Sequence, residues 1–155
     1  MFTDTISPVL NTFGRFNNAP KIVIKTTFST KIGNIYSNKG RCEGYCYWEY
    51  PVASLNVTLL SEPENYSKVT AKFSLYGKAD DGFKFYLNGT NVASFQSHCK
   101  NSQCTSKSDW VAAVHSFDLS ITSLSNTLQI KAYSYKNDYW AEVYSATLIV
   151  ETESK

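Results

Sequence analysis

The fold class this sequence predicts is all-β, an antiparallel two-sheet β-sandwich of jelly-roll type. Three observations predict it. β-Branched and aromatic runs recur from end to end, an Asn-Gly turn joins two of them, and no segment combines helical spacing with a cap over about ten residues. The chain of 155 residues, 43% hydrophobic and 15% aromatic, suits one domain with an ample core and has no room for a second. We therefore read residues 1–155 as a single recognition domain, with residues 1–20 as an extended arm.

In order, the expected strands cover residues 22–27, 55–60, 69–76, 83–87, 91–95, 111–117, 128–135 and 141–151. In Val69-Thr70-Ala71-Lys72-Phe73-Ser74-Leu75 the odd positions are apolar and the even ones polar, so one face meets a core and the other water. Leu128, Ile130 and Ala132 repeat that pattern. Asn88-Gly89 tolerates the positive φ angles of a two-residue hairpin and pairs residues 83–87 with 91–95. Residues 120–125 could form a single helical turn. Three long polar connections, 31–41, 61–67 and 97–109, are the loops on which a rigid sandwich would carry binding.

Charge and hydropathy exclude several functions. The net charge of +2 includes no run of one sign, which argues against nucleic acid as a partner. No apolar stretch approaches the roughly 18 residues of a bilayer span, so membrane insertion by a helix is not expected. Four cysteines fall as two close pairs, Cys42/Cys46 and Cys99/Cys104, an arrangement open to local disulfides or to a four-thiolate metal site. Structural zinc usually wants two intervening residues, and these pairs have other spacings, so both are expected to be oxidised and to brace loops. Their connectivity stays open. Disulfides would place the protein outside the cytosol, at an extracellular, cell or particle surface. Met1-Phe2-Thr3-Asp4 lacks the basic start and apolar centre of a secretory signal, so that assignment expects a leader removed upstream. The sequons at Asn56, Asn65 and Asn88 are about as many as chance supplies in so Asn- and Ser-rich a chain.

Two segments are unusually aromatic, Tyr45-Cys46-Tyr47-Trp48-Glu49-Tyr50-Pro51 and Tyr133-Ser134-Tyr135-Lys136-Asn137-Asp138-Tyr139-Trp140. Flat amphipathic rings can pack against the axial C–H groups of a sugar while nearby amides and carboxylates take its hydroxyls. The plainer alternative is that the rings fill the core or stiffen strands. Asp138, Tyr139 and Trp140 are the candidate ligand-facing residues of the second segment. The Lys-Asn-Asp turn before Trp140 makes it the ring expected at the surface.

Asp80 and Asp81 introduce the strand at 83–87. They can cap a turn through their own backbone, or, with the amide of Asn137 and loop carbonyls, supply the oxygen shell of a calcium ion. A glycosidase acid and base they cannot be, because neighbouring strand residues point to opposite faces. His98 and His115 stand in no metal-ligand spacing, and no nucleophile elbow or phosphate-cradling loop occurs. The expectation is a non-enzymatic protein.

Residues 69–89, with the alternating strand, Ala79-Asp80-Asp81-Gly82-Phe83 and Tyr86-Leu87-Asn88-Gly89, resemble the galactose-binding-like jelly rolls and the PA14-type lectin domains of yeast flocculins and epithelial adhesins. Tyr47-Trp48 followed by Asn56-Val57-Thr58-Leu59 looks like the strand entry of that family. The resemblance covers the central and last thirds of the chain. It implies that Asp80 and Asp81, with Asn137 from a later loop, hold a calcium ion that coordinates sugar hydroxyls. The expected function is thus a surface glycan-binding or adhesion domain with a carbohydrate or glycoprotein ligand, standing alone or within a larger surface assembly. The alternative is a structural or protein-binding module of a pilus, fibre or virion.

Overall fold

The computed structural model describes residues 2–6, 21–36, 47–100, 104, 106–135 and 138–155. Its strands are β1 (Phe2–Ile6), β2 (Lys21–Tyr36), β3 (Trp48–Thr58), β4 (Tyr66–Ala79), β5 (Gly82–Leu87), β6 (Thr90–Gln96), β7 (His98–Cys99), β8 (Trp110–Val111), β9 (Ala113–Leu119), β10 (Ser125–Ser134) and β11 (Asp138–Ser154). One sheet runs in the order β1-β3-β10-β5-β6 and a second in the order β2-β11-β4-β9, while β7 and β8 form a short ribbon. The all-β two-sheet sandwich is what the alternation demanded.

Ala71, Phe73 and Leu75 of β4 are buried and pack with Leu128, Ile130 and Ala132 of β10, so the two alternating strands face each other across one core. Its aromatic centre is Phe73, Phe85 and Phe117, with ring centroids 4.8–5.5 Å apart. Burying each phenylalanine contributes on the order of 1.5–3 kcal/mol. Asn88 and Gly89 take φ of 50° and 85°, the left-handed pair that a tight hairpin between β5 and β6 requires.

Several expectations need correcting. Phe2–Ile6, within the stretch read as an arm, is an edge strand, and it runs parallel to β3, the one departure from antiparallel pairing among the described strands. The connection expected at 31–41 is strand as far as Tyr36. Residues 120–125 hold no helical turn; short 3-10 turns occur instead at Pro63–Asn65 and Lys107–Asp109. β3 begins seven residues before its expected start at Leu55, because a bulge absorbs Pro51: Lys131 of β10 pairs with Pro51 and Ile130 with Ala53, leaving Val52 as the extra residue.

β4 and β5 lie in different sheets yet are joined by only Asp80 and Asp81, which therefore form the corner where the chain crosses the sandwich. Asp81 turns there with φ of 67°. The Asp80 N–H donates to the Trp140 carbonyl at 3.0 Å, Gly82 N–H to the Asp80 carbonyl at 2.9 Å and Ser97 N–H to the Asp81 carbonyl at 2.7 Å. Asp tolerates this left-handed position better than most residues, so the pair suits the corner on backbone grounds alone.

Candidate functional site

Register builds a polar and aromatic face on the outside of the five-stranded sheet. Phe83, Phe85 and Leu87 of β5 point into the core, so Gly82, Lys84 and Tyr86 point out. β10 places Tyr133 opposite both Gly82 and Glu49, Lys131 opposite Lys84, and Gln129 opposite Tyr86. Tyr135, just past the end of β10, continues the row and is 47% exposed. Gly82 is needed for this arrangement: a Cβ there would overlap the Phe95 carbonyl and lie 2.7 Å from the ring and hydroxyl of Tyr133.

Glu49 is the hub of the face. Its Oε1 accepts the hydroxyls of Tyr47 and Tyr86, each at 2.6 Å, and the Tyr86 hydroxyl also lies 2.8 Å from Oε2. The Lys84 ammonium stands 3.3 Å from Oε1. Burial pulls the carboxyl toward protonation, but hydrogen bonds from Tyr47, Tyr86 and Lys84 prevail and hold it below the ordinary carboxylate range. The same contacts act in reverse on the phenols. Burial and the Glu49 carboxylate push Tyr86 up to about 12 and Tyr47 higher still.

Tyr47, Tyr133 and Tyr135 form a cluster of rings with centroids 5.3–6.0 Å apart and planes tilted by 34–80°. Lys84 lies over two of them, 4.7 Å from Tyr47 and 5.5 Å from Tyr133, and Lys131 lies 4.7 Å over Tyr86. Burial, and then the nearby Tyr135 and Asp81, raise the Tyr133 phenol. The cluster joins both aromatic segments singled out in the sequence.

The Asp corner adjoins this face. The Asp81 Oδ2 accepts the Tyr135 N–H at 2.7 Å, and the Asp80 Oδ2, in a residue only 4% exposed, accepts the Ser134 hydroxyl at 3.1 Å. The pair makes the corner through its main chain, and both carboxylates fasten the end of β10. Asn137 lies outside the described residues, as do Cys42 and Cys46, and of Asp138 and Tyr139 only the backbone, at the start of β11, is described.

Trp140 is a correction. It is 7% exposed, packed edge-on to Trp110 at 6.3 Å, with the Lys78 ammonium 5.9 Å from its ring. The bulge between Trp140 and Ala141 falls on β2, where Gly33 is the extra residue, so β11 keeps its alternation. Trp140 points away from the core that holds Ala141 and Val143 and is buried because Trp110 and Lys78 cover it. Cys99 and Cys104 are joined as a disulfide, which closes the loop next to the β7–β8 ribbon. Sequence reasoning missed Glu49, Lys84, Tyr86 and Lys131. The signal was there in the outward positions of the strands at 83–87 and 128–135, had those two been paired.

Fold and face together define a β-sandwich with an aromatic, charged surface on one sheet. The sequence matches no protein-family model and no curated protein. Among solved structures the chain is similar to dimeric latent PorU from Porphyromonas gingivalis, at 14% identity over 86% of this chain and 13% of that one, with a TM-score of 0.42. It is similar also to the PA14 sugar-binding domain from an RTX adhesin, at 14% identity over 82% of this chain and 45% of that one, with a TM-score of 0.28. A family 35 carbohydrate binding module from Clostridium thermocellum aligns at 17% identity over 92% of this chain and 97% of that one, with a TM-score of 0.32. The chain spans a small part of the PorU chain and less than half of the adhesin chain.

Proposed function

We propose that this chain is a non-enzymatic glycan-binding domain whose ligand packs on the outer face of the five-stranded sheet, with Tyr135 as its stacking ring. The observation that supports this most is the convergence of Tyr47, Tyr133 and Tyr135 beside the Asp corner. A sugar needs an apolar ring face and polar groups at its rim, and this cluster offers both. The rings tilt against one another, which favours one sugar unit or a curved chain over a flat crystalline surface. The disulfide agrees with an oxidising, extracellular or surface setting.

Calcium at Asp80 and Asp81 belongs to the same proposal. Asp80 and Asp81 bring two carboxylates to one corner, and among the described residues no group of three or more His, Cys, Asp or Glu stands together. Two carboxylates fall short of the six to eight oxygens that calcium takes, and Asn137 with ligand hydroxyls would supply others. Bound there, the ion would offer coordination sites to vicinal hydroxyls. A glycan array with and without calcium, followed by Tyr135→Ala and Asp81→Ala, tests the proposal. Retention of every array signal by Tyr135→Ala would overturn the stacking role, and signals indifferent to calcium would remove the ion.

A second reading, a protein-binding module of a fibre or virion, draws on the other sheet. Tyr76 and Val114, cross-strand partners on β4 and β9, are 43% and 67% exposed, and Tyr144 packs 5.2 Å from Tyr76. Self-association lost on Val114→Asp, measured by sedimentation, would favour that reading.

A further inference from the structure

We propose that the sugar taken by this face is acidic, and that its anion, a carboxylate or a sulfate, seats against Lys131 and Lys84. The inference deepens the stacking reading and rests on it. Lys131 and Lys84 are direct cross-strand partners on adjacent strands, an arrangement in which like charges destabilise the pair. Among the described side chains of the strands that make the face, Glu49 of β3 is the carboxylate that answers them, and it is committed to Lys84 and to two phenols. Among the described residues no carboxylate pairs with Lys131. Its ammonium lies over the Tyr86 ring, whose π-face attracts the cation without neutralising it. Among the described residues Asp81 also faces the cluster, at the Tyr135 end, and is hydrogen-bonded to that residue's backbone.

The hydrogen-bonding balance of the face points the same way. Tyr47 and Tyr86 both spend their hydroxyl protons on Glu49, which in return spends its acceptors on them. Around the two lysines the carboxylate and both phenols are thus occupied with one another, and among the described residues the Lys131 ammonium is the charged donor left to a ligand. A neutral sugar would leave the charge of Lys131 unanswered. An anion brings acceptors alone and also relieves the repulsion between the lysines.

Calorimetry on matched oligosaccharides tests the inference. The probes are an oligogalacturonide and its carboxyl-reduced neutral counterpart, and a sulfated galactan oligosaccharide, which carries no carboxylate, with its desulfated counterpart. At least one charged member should bind about tenfold more tightly than its neutral match, and added salt should erode that margin. Lys131→Gln should remove most of the margin, while Lys131→Arg should keep it and both variants melt as the parent does. Preference for the uronide alone assigns a carboxylate, for the galactan alone a sulfate, and for both a site that reads charge. If neutral matches bind as tightly, or Lys131→Gln changes nothing, the acidic-ligand inference falls while stacking on Tyr135 stands. If no array glycan and none of these probes binds, the stacking reading falls and takes the inference with it.

Discussion

Replacing Glu49 with Gln probes the hub of the outer face. The substitution keeps the size of the side chain and a carbonyl acceptor but removes the charge that two phenols and Lys84 share. A hydrogen bond to a charged group is worth about 1.5–3 kcal/mol, yet these groups are partly open to water, and water will replace some of what is lost, so a net cost of about 1–2 kcal/mol is expected. The Tyr86 phenol now stands at about 12 through burial first and Glu49 second. Without the carboxylate it should fall part of the way toward its ordinary 10.0, leaving the share due to burial. Ultraviolet titration of the tyrosines reads the second effect and urea unfolding the first. Because the raised phenol favours the folded state only while protonated, this contribution is whole below pH 10.0 and disappears as pH climbs through about 12. The depressed Glu49 carboxyl acts oppositely, stabilising above its unfolded value of 4.5 and ceasing to do so as acid protonates it. An unchanged tyrosine titration together with an unchanged urea midpoint would show that the hydrogen bonds around Glu49 do not organise the face.

Gly82→Ala should cost about 1–3 kcal/mol, read from the urea midpoint, because its methyl meets the Phe95 carbonyl and the Tyr133 ring; a neutral substitution would mean that Tyr133 does not lie over β5. His115 is buried against the Phe95 ring, 4.8 Å away, and burial, with His98 as the lesser cause, lowers its basicity. Its stabilising share is therefore present above the unfolded value of 6.5 and lost as pH drops through the folded one, so the melting temperature should fall on acidification, and His115→Phe should flatten that slope. Cys99→Ser with Cys104→Ser should loosen the β7–β8 ribbon while leaving the core intact, since the bridge spans a sequence separation of only 5. Amide exchange that quickens at Lys100 and Asp109, with the strands of β4 and β10 unaltered, is the expected pattern.

What the sequence disclosed followed from how local each feature is. Alternation along β4 and β10 depends only on residues two apart, and the Asn88-Gly89 turn on two adjacent ones, so both were plain to read. The two aromatic segments were also visible, but what joins Tyr47 to Tyr133 and Tyr135 is the placement of β10 between β3 and β5, a non-local pairing that no window of residues contains. Glu49, Lys84 and Lys131 were overlooked for the same reason: each reads as an ordinary outward charge until the register sets them side by side. Trp140 was misplaced because the cover over its outward-facing ring comes from Trp110, thirty residues away, which the polarity of the neighbouring turn does not reveal. Pro51 concealed the first half of β3, where a bulge at Val52 interrupts the strand pattern.

The position of β10 also bears on how a ligand would be met. Its backbone is bonded on both flanks, to β3 and to β5, and its far end is fastened by Asp80 and Asp81. The rings it carries are thereby held in their tilts before any partner arrives, and little freedom remains to be surrendered when one does. Recognition on such a preorganised strand resembles a key meeting a finished lock: differences in affinity between ligands would reside in how long each stays, and encounter rates would vary little.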